Sequence, residues 1–544
     1  MNYDNNENSN ESQMKRREFL AFFGRGAALL SLAACAPGLL KNKDFGADTS
    51  LGAFTGLKPK ISDEFRVAPG FEYKLLMKWG DVLNVNGDQF GFNNDYLAIF
   101  PVANRSDEFV MWANHEYIHP LFVSGHDMFN SSMKKTLDQV KVEMKAVGGS
   151  LFHLKKVGED YRFELNSEYN RRLDANTKIP FANGEKILGE NFAIGTFANC
   201  AGGVTPWGTV LSGEENYQNF YGEVKYDTNG KREKVNSSWS YGWDQFFNRP
   251  PEHYGWVVEI NPFTGAAKKH VNLGRFAHEG ATTVTAKDGR VVVYSGDDAN
   301  DECFYKFVSD HKDSFKSGTL YVANLEKGEW IPLTISHPVL KKHFKTQIDL
   351  LINTRVAAKL VGGTPLDRPE DCEIDPIGGA IYLNCTNNAK RNRPFGSTLK
   401  FEESNDYTGT KFKSSVFIEG GPSSGVASPD NMVFDKKGNM WITTDISDDK
   451  IGDKDHTNFG NNALFYVPMS GPFAGKAVRV AEGPIESELT GPCFSPDGKT
   501  LFLSVQHPGG NTKSLDKITS HWPEGGTSIP KPSVVQIKIP EFLR

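Results

Sequence analysis

Several things are scarce in these 544 residues. There is no basic surplus: 61 Lys and Arg stand against 67 Asp and Glu, a formal net charge of −6. A chain without excess positive charge has little with which to neutralise nucleic-acid phosphates, so a nucleic-acid binder is excluded. Long hydrophobic runs are missing. The clean apolar stretch Ala27 to Ala34 falls far short of the roughly 20 residues that span a bilayer, and no later run is long enough. Sustained helical periodicity is rare, Ser132 to Ala146 being the best candidate. No βαβ alternation is visible, which disfavours a two-domain α/β protein. What is plentiful is Gly, at 53, and aromatic side chains, at 12%. With 38% hydrophobic residues there is ample material for a core, so the chain is neither disordered nor collagenous. The balance favours an all-β fold, a class in which one domain often runs long.

The first 34 residues read as an address. Lys15-Arg16-Arg17-Glu18-Phe19-Leu20 precedes a weakly apolar segment, and the paired Arg16 and Arg17 resemble a twin-arginine export signal. Leu32-Ala33-Ala34-Cys35 resembles a lipobox, in which Cys35 becomes the lipidated first residue. The expected organisation is a signal over 1–34, a linker over 35–60 and one propeller domain over 61–544. Setting Cys35 apart leaves Cys200, Cys303, Cys372, Cys385 and Cys493, an odd number that cannot pair completely. A free thiol in an exported protein invites a metal-ligand or reactive reading, and Cys200 suits it better than the strand-like contexts of Cys385 and Cys493.

One pattern recurs along the body: a turn with Asp and Gly, a short apolar strand, then polar residues. It appears around Gly289 before Val291–Tyr294, around Gly379 before Ala380–Leu383, around Gly438 before Met440–Thr443, and around Gly498 before Leu501–Leu503. Such spacing suits the blades of a β-propeller. The roughly 510 residues after the signal would make six blades of about 85, larger than the common repeats of ~40–50. The fold expected is therefore all-β, a six-bladed β-propeller with long loop and short helical insertions. Tyr221 to Pro251, rich in Asn, Ser, Trp and Lys, reads as one such excursion.

Short polar motifs are scattered between these units. They are Trp112-Ala113-Asn114-His115-Glu116-Tyr117, Asn199-Cys200-Ala201-Gly202-Gly203 with Glu214-Glu215, and Ala277-His278-Glu279-Gly280. Others are Gly296-Asp297-Asp298, Leu366-Asp367-Arg368-Pro369-Glu370, Ser428-Pro429-Asp430-Asn431 and Gln506-His507-Pro508-Gly509. Each sets carboxylate, amide or imidazole beside Gly, Pro or a strand end, which is loop chemistry on a rigid scaffold. Strand ends on one face of a propeller converge on its axis. Carboxylates pooled there stay ionised only with cations: hard oxygens suit Ca²⁺, and a thiolate suits a transition metal. Arg368, two residues from Glu370, offers a bidentate fork for phosphate. Flanked by Asp367 and Glu370, it also suits a buried salt bridge.

Taken together the ordered motifs resemble the PhoX-type alkaline phosphatases, a calcium-dependent bacterial family. The resemblance runs from Gly70-Phe71-Glu72 through Phe90–Tyr96, Gly148-Gly149-Ser150 and Tyr169–Arg172 to Gln506–Gly509 and His521-Trp522-Pro523. It implies a cofactor of about two Fe³⁺ and about three Ca²⁺ ions with a bridging oxo group, and release of phosphate from small phosphate esters. By the same resemblance Cys200 is an iron ligand, Glu214 or Glu215, Glu279 and Glu370 are carboxylate ligands, and Glu116, Asp298 and Asp430 are calcium ligands. Arg368 contacts the phosphoryl group. Two departures stand out: Asp371 follows Arg-Pro-Glu where relatives often have Trp, and Ser212-Gly213 stands where many have Thr-Cys.

The protein is expected to be carried by the twin-arginine machinery to the periplasm or outer membrane. It would meet the membrane only through its N-terminal lipid and work as a monomer. Two competing readings remain open at the sequence level. A calcium-dependent propeller hydrolase such as a lactonase needs an acidic site but no thiolate. A non-catalytic lipid-anchored binding propeller needs neither Arg368 nor the Glu ligands.

Overall fold

The turn-plus-strand unit of the sequence is the hairpin that joins the first two strands of a propeller blade. The computed structural model describes residues 50–51, 54–130, 132–226, 232–235 and 240–544; Arg16, Arg17 and Cys35 lie outside the described residues. Gly289, Gly379, Gly438 and Gly498 have φ of +89°, +73°, +78° and +73°, the left-handed backbone that a glycine adopts without penalty.

Six sheets form the blades. The first pairs Asn94–Pro101, Glu108–His115, Gly148–Val157 and Asp160–Phe163, with Arg171–Leu173 beside the third strand. The second is Asn199–Val204, Val210–Glu214, Val257–Ile260 and Ala267–His270. His278–Thr285, Val291–Asp297, Phe304–Ser309, Gly318–Asn324 and Glu329–Pro332 make the third. The fourth is Pro369–Ile374, Ile381–Cys385, Ser397–Glu403 and Phe412–Glu419. In the fifth, Pro429–Phe434, Met440–Thr444, Ala463–Val467 and Val478–Glu482 gain Arg66–Val67 as the outer strand. In the sixth, Glu488–Phe494, Thr500–Gln506 and Ser533–Lys538 gain Glu72–Lys78. N-terminal chain thus completes the last two blades and covers edges that would otherwise stay open.

The first strand of each blade touches the first strands of both neighbours, closing a ring around the axis. The core lies between blades. Ala98, Val110, Trp112 and Leu151 of the first pack against Val210, Val258 and Ile260 of the second. Trp256 of the second joins Val291, Val293 and Tyr305 of the third. Truncating such a tryptophan costs about 3–5 kcal/mol.

Part of the expected linker is docked. The Leu57 amide donates to Arg479 O at 2.8 Å, and the Phe54 ring sits 5.3 Å from that of Phe542. The helix runs over Leu137–Ala146, later than the pattern from Ser132, because Thr136 caps it: its hydroxyl accepts from Gln139 N, and Gln139 accepts from Thr136 N. In the excursion of the second blade, Glu223–Tyr226 pairs with Arg232–Val235 as a ribbon.

Candidate metal centre

Every first strand carries an extra residue near its start. The register slips between Asn94 and Leu97, Asn199 and Gly202, Glu279 and Thr282, Pro369 and Cys372, Pro429 and Met432, and Thr490 and Cys493. A β-bulge re-aims side chains. Asp95, Cys200, Glu370 and Asp430 lie inside these bulges, Glu279 opens one, and Glu488 stands two residues before another. The antiparallel second strand ends beside this point, so the residue just after it arrives at the same end of the axis. Those residues are Glu116, Glu215, Asp298, Thr386, Asp445 and His507. In four blades the residue preceding the first strand is also left-handed: Asn93, Ala198, Arg368 and Ser428, with φ of 43°, 55°, 55° and 52°. For Ala198 and Arg368 that conformation is strained, a feature that clusters at functional sites.

All of these acids but Asp95, with His507, surround a cavity of about 620 Å³. Glu116, Cys200, Glu215, Glu279, Asp298, Arg368, Glu370 and Asp430 all line it, joined by Asp445, Glu488 and His507. Four sets bring their ligating atoms within 4.8 Å of one another: Asp95–Glu116–Cys200, Cys200–Glu215–Glu279, Glu279–Glu370–Asp430 and Asp445–Glu488–His507. The donor set fits cations. Among the described residues, buried Glu279 Oε2 and Asp430 Oδ2 have no hydrogen-bond partner, a costly state unless something positive faces them.

The electrostatics agree. Burial and the nearby Glu116 push the Asp95 carboxyl up to about 7. Burial together with Glu370 and Asp430 pushes Glu279 well above the carboxylate range. Glu215, Glu370, Asp430 and Glu488 move the same way, first from burial and then from neighbouring carboxylates: Glu116, Asp298 and Glu279 act on Glu215, Asp298 on Glu370, and Asp445 on both Asp430 and Glu488. Asp298 is the exception: burial pushes it up, but Arg368 wins and holds it down. The Arg368 guanidinium forks onto Asp298 through Nε at 2.8 Å and Nη2 at 2.7 Å, and Nη2 lies 3.2 Å from Glu370 Oε1. Amides orient the other carboxylates: Gln506 Nε2 donates to Asp95 at 2.6 Å and to Glu116 at 3.2 Å, and Asn216 Nδ2 donates to Glu215 at 2.8 Å.

Cys200 is held from behind. Its carbonyl accepts from Asn114 Nδ2, and Asn114 Oδ1 in turn accepts from Trp112 Nε1 at 2.6 Å and Ser212 Oγ at 2.7 Å. Ser212 thus serves as a buried support. The Sγ lies 3.6 Å from Asp95 Oδ2. Burial, with Asp95 next in weight, pushes this thiol well up, so a thiolate here needs a positive neighbour.

Glu214 is placed elsewhere and does not line the cavity. It ends the strand Val210–Glu214, and successive strand residues face opposite ways, so Glu214 turns into its own blade while Glu215 reaches the axis. There it pairs with fully buried Lys269 at 2.6 Å and accepts from the amides of Gly255 and Trp256 at 3.1 and 3.2 Å. Asp371 is structural too: its Oδ2 accepts from Met432 N at 3.1 Å. Sequence reasoning passed over Asp95, Asp445, Glu488 and His507. Asp95 and His507 sit in motifs that carried the resemblance, whereas Asp445 and Glu488 show only as strand-end acids.

The fold and the site together define a propeller enzyme whose chemistry is gathered on its axis by a buried, cation-seeking acidic cluster. The model of the family described as Alkaline phosphatase PhoX matches residues 52–509, and the chain belongs to that family, which makes it a phosphatase. Among solved structures it is similar to Pseudomonas fluorescens PhoX in complex with vanadate, a transition state analogue. That match has 29% identity and a TM-score of 0.78, and covers 89% of this chain and 97% of that one. A gluconolactonase from Xanthomonas campestris matches at 9% identity and a TM-score of 0.29, over 72% of this chain and 82% of the other. No curated protein matches the chain.

Proposed function

We propose that the protein is an extracytoplasmic alkaline phosphatase that hydrolyses small phosphomonoesters at this cavity with a mixed iron–calcium cofactor. The observation that carries the reading is the convergence of Arg368, Cys200 and the buried carboxylates on one cavity. Cys200, Glu215 and Glu279 form the set suited to iron, since a thiolate favours softer ions. The all-oxygen set Glu279–Glu370–Asp430 suits calcium. Asp445–Glu488–His507 is a third candidate. When bound, the ions supply Lewis-acid neutralisation of charge at the phosphoryl and leaving-group oxygens.

The chain's own residues do the rest. Arg368 stabilises charge on the equatorial oxygens of the transferring phosphoryl group. Asp298 fixes the plane of that guanidinium through two hydrogen bonds. Asn216 and Gln506 keep carboxylate lone pairs turned to the cavity. The Cys200 context, with Asp95 and acidic neighbours, disfavours the lactonase reading, which has no need of a thiolate. Export through Arg16 and Arg17, as a folded, loaded protein, and anchoring through a lipid on Cys35 complete the proposal. The test is phosphate release from p-nitrophenyl phosphate before and after calcium chelation with EGTA. Activity should fall to background and return with added Ca²⁺; full activity after thorough chelation contradicts the cofactor.

A further inference from the structure

The cavity has two unlike parts. Its floor holds the acids and Arg368. Its lining also includes the apolar and aromatic Tyr117, Met128, Phe129 and Tyr241 and the polar Asn511 and Lys513; of these Phe129 and Lys513 are exposed and mark its mouth. At about 620 Å³ the cavity, the space for the proposed ions included, is in the range of pockets that take a whole small molecule.

The wall is anchored. Lys135 Nζ ties the segment carrying Met128 and Phe129 to both Glu143, at 2.8 Å, and Tyr241 O, at 2.9 Å. The Phe129 amide donates to Asp127 Oδ1 at 3.0 Å, which fixes the turn that presents the ring. Phe129 is nevertheless 44% exposed, whereas Tyr241 is 4% exposed. A large ring kept partly bare on a braced wall beside a reaction centre offers a stacking face at little ordering cost. Lys513, exposed at the same cavity, makes no hydrogen bond or ion pair among the described residues, so its side chain is available to polar substituents.

We infer that this mouth is a leaving-group subsite for phosphomonoesters whose alcohol carries a flat ring, aryl or nucleoside, with Phe129 as the specificity-determining residue. The inference rests on the phosphatase reading of the same cavity. Stacking of this kind is worth about 0.5–1.5 kcal/mol, which converts to a two- to tenfold preference.

The test uses matched esters on the intact, metal-replete protein: 5′-AMP against ribose 5-phosphate, which differ by the base alone. Phe129→Ala should lower kcat/KM for 5′-AMP about three- to tenfold and leave ribose 5-phosphate within twofold. Phe129→Trp should keep the preference. Calorimetry with adenosine gives a readout besides turnover, and the alanine variant should weaken its binding by the same factor. Equal effects on both esters, or none on either, would overturn the subsite. If the wild-type protein hydrolyses neither ester, the phosphatase reading falls and this one with it. If it hydrolyses both without distinction and adenosine does not bind, only the subsite falls.

Discussion

Two cavities lie against the ring of axial first strands, yet they gather different things. The larger, at the strand starts, collects acids of which two oxygens, Glu279 Oε2 and Asp430 Oδ2, lack hydrogen-bond partners among the described residues. The smaller, about 260 Å³ and further along the strands, is lined by Tyr96, Met432, Val433 and Phe494 and also contains acids, Asp371 and Glu373. There each carboxylate accepts from a backbone amide, Met432 N or Ile374 N, and burial pushes Glu373 up to about 7. Acidic residues on an axis do not by themselves make a metal centre. The distinguishing marks are several donors within reach of one another and oxygens that nothing in the protein satisfies.

The contrast can be broken at several points. The largest effect is expected at Arg368, the one guanidinium among the described residues that line the larger cavity. Arg368→Ala should lower kcat/KM about 10²- to 10³-fold in steady-state kinetics, and, because it leaves the buried Asp298 carboxylate without its cation, should also lower the melting temperature of the metal-free protein. Next, Glu279→Gln should cut phosphate release by about 100-fold and reduce bound metal, read by elemental analysis. It removes one of the charges crowded around Glu370 and Asp430 and so should not lower the melting temperature of the metal-free protein.

The adjacent pair Glu214 and Glu215 sharpens the same point. Glu214→Ala strands fully buried Lys269 and should cost about 3–5 kcal/mol of stability in denaturant unfolding. Glu215→Gln should leave stability intact and cut activity about 10- to 100-fold. The smallest effect belongs to the second cavity: Asp371→Asn keeps an acceptor for Met432 N and should leave phosphate release within about twofold of wild type.

Away from the axis, Glu259 supplies a pH prediction. Burial pushes its carboxyl up, but His270 at 2.7 Å, Trp207 at 2.9 Å and Lys268 outweigh that and hold it at about 2. The unfolded value is about 4.3, so this group stabilises the fold above that pH and ceases to do so as pH falls towards 2. Glu259→Gln should flatten the acid limb of a melting-temperature profile.

Much of this was legible before the structure. The Asp-Gly turns mark four blades because the first hairpin of each needs a left-handed residue. The first two blades escaped that pattern: Asn104, φ 62°, fills the role without glycine, and Gly208, φ +79°, sits in Thr205-Pro206-Trp207-Gly208-Thr209, which lacks the aspartate. Glu215 was legible only as one of a pair, since spacing along the chain does not say which of two adjacent glutamates leaves the strand. Asp445 and Glu488 were invisible for a related reason. Each belongs to the site only because the second strand of one blade and the first of another end at the same height on the axis. A ring closed over the whole chain is not written in any local motif.

The central claim is that the larger cavity is a metal-dependent phosphoryl-transfer site with Cys200 among its ligands. Anomalous diffraction at the iron edge, from crystals of active wild-type protein and of Cys200→Ala, tests it most directly. The account predicts a strong iron peak beside the Cys200 sulfur and the Glu215 and Glu279 carboxylates, lost in the variant together with activity. Active wild-type crystals with no anomalous peak in that cavity would contradict it.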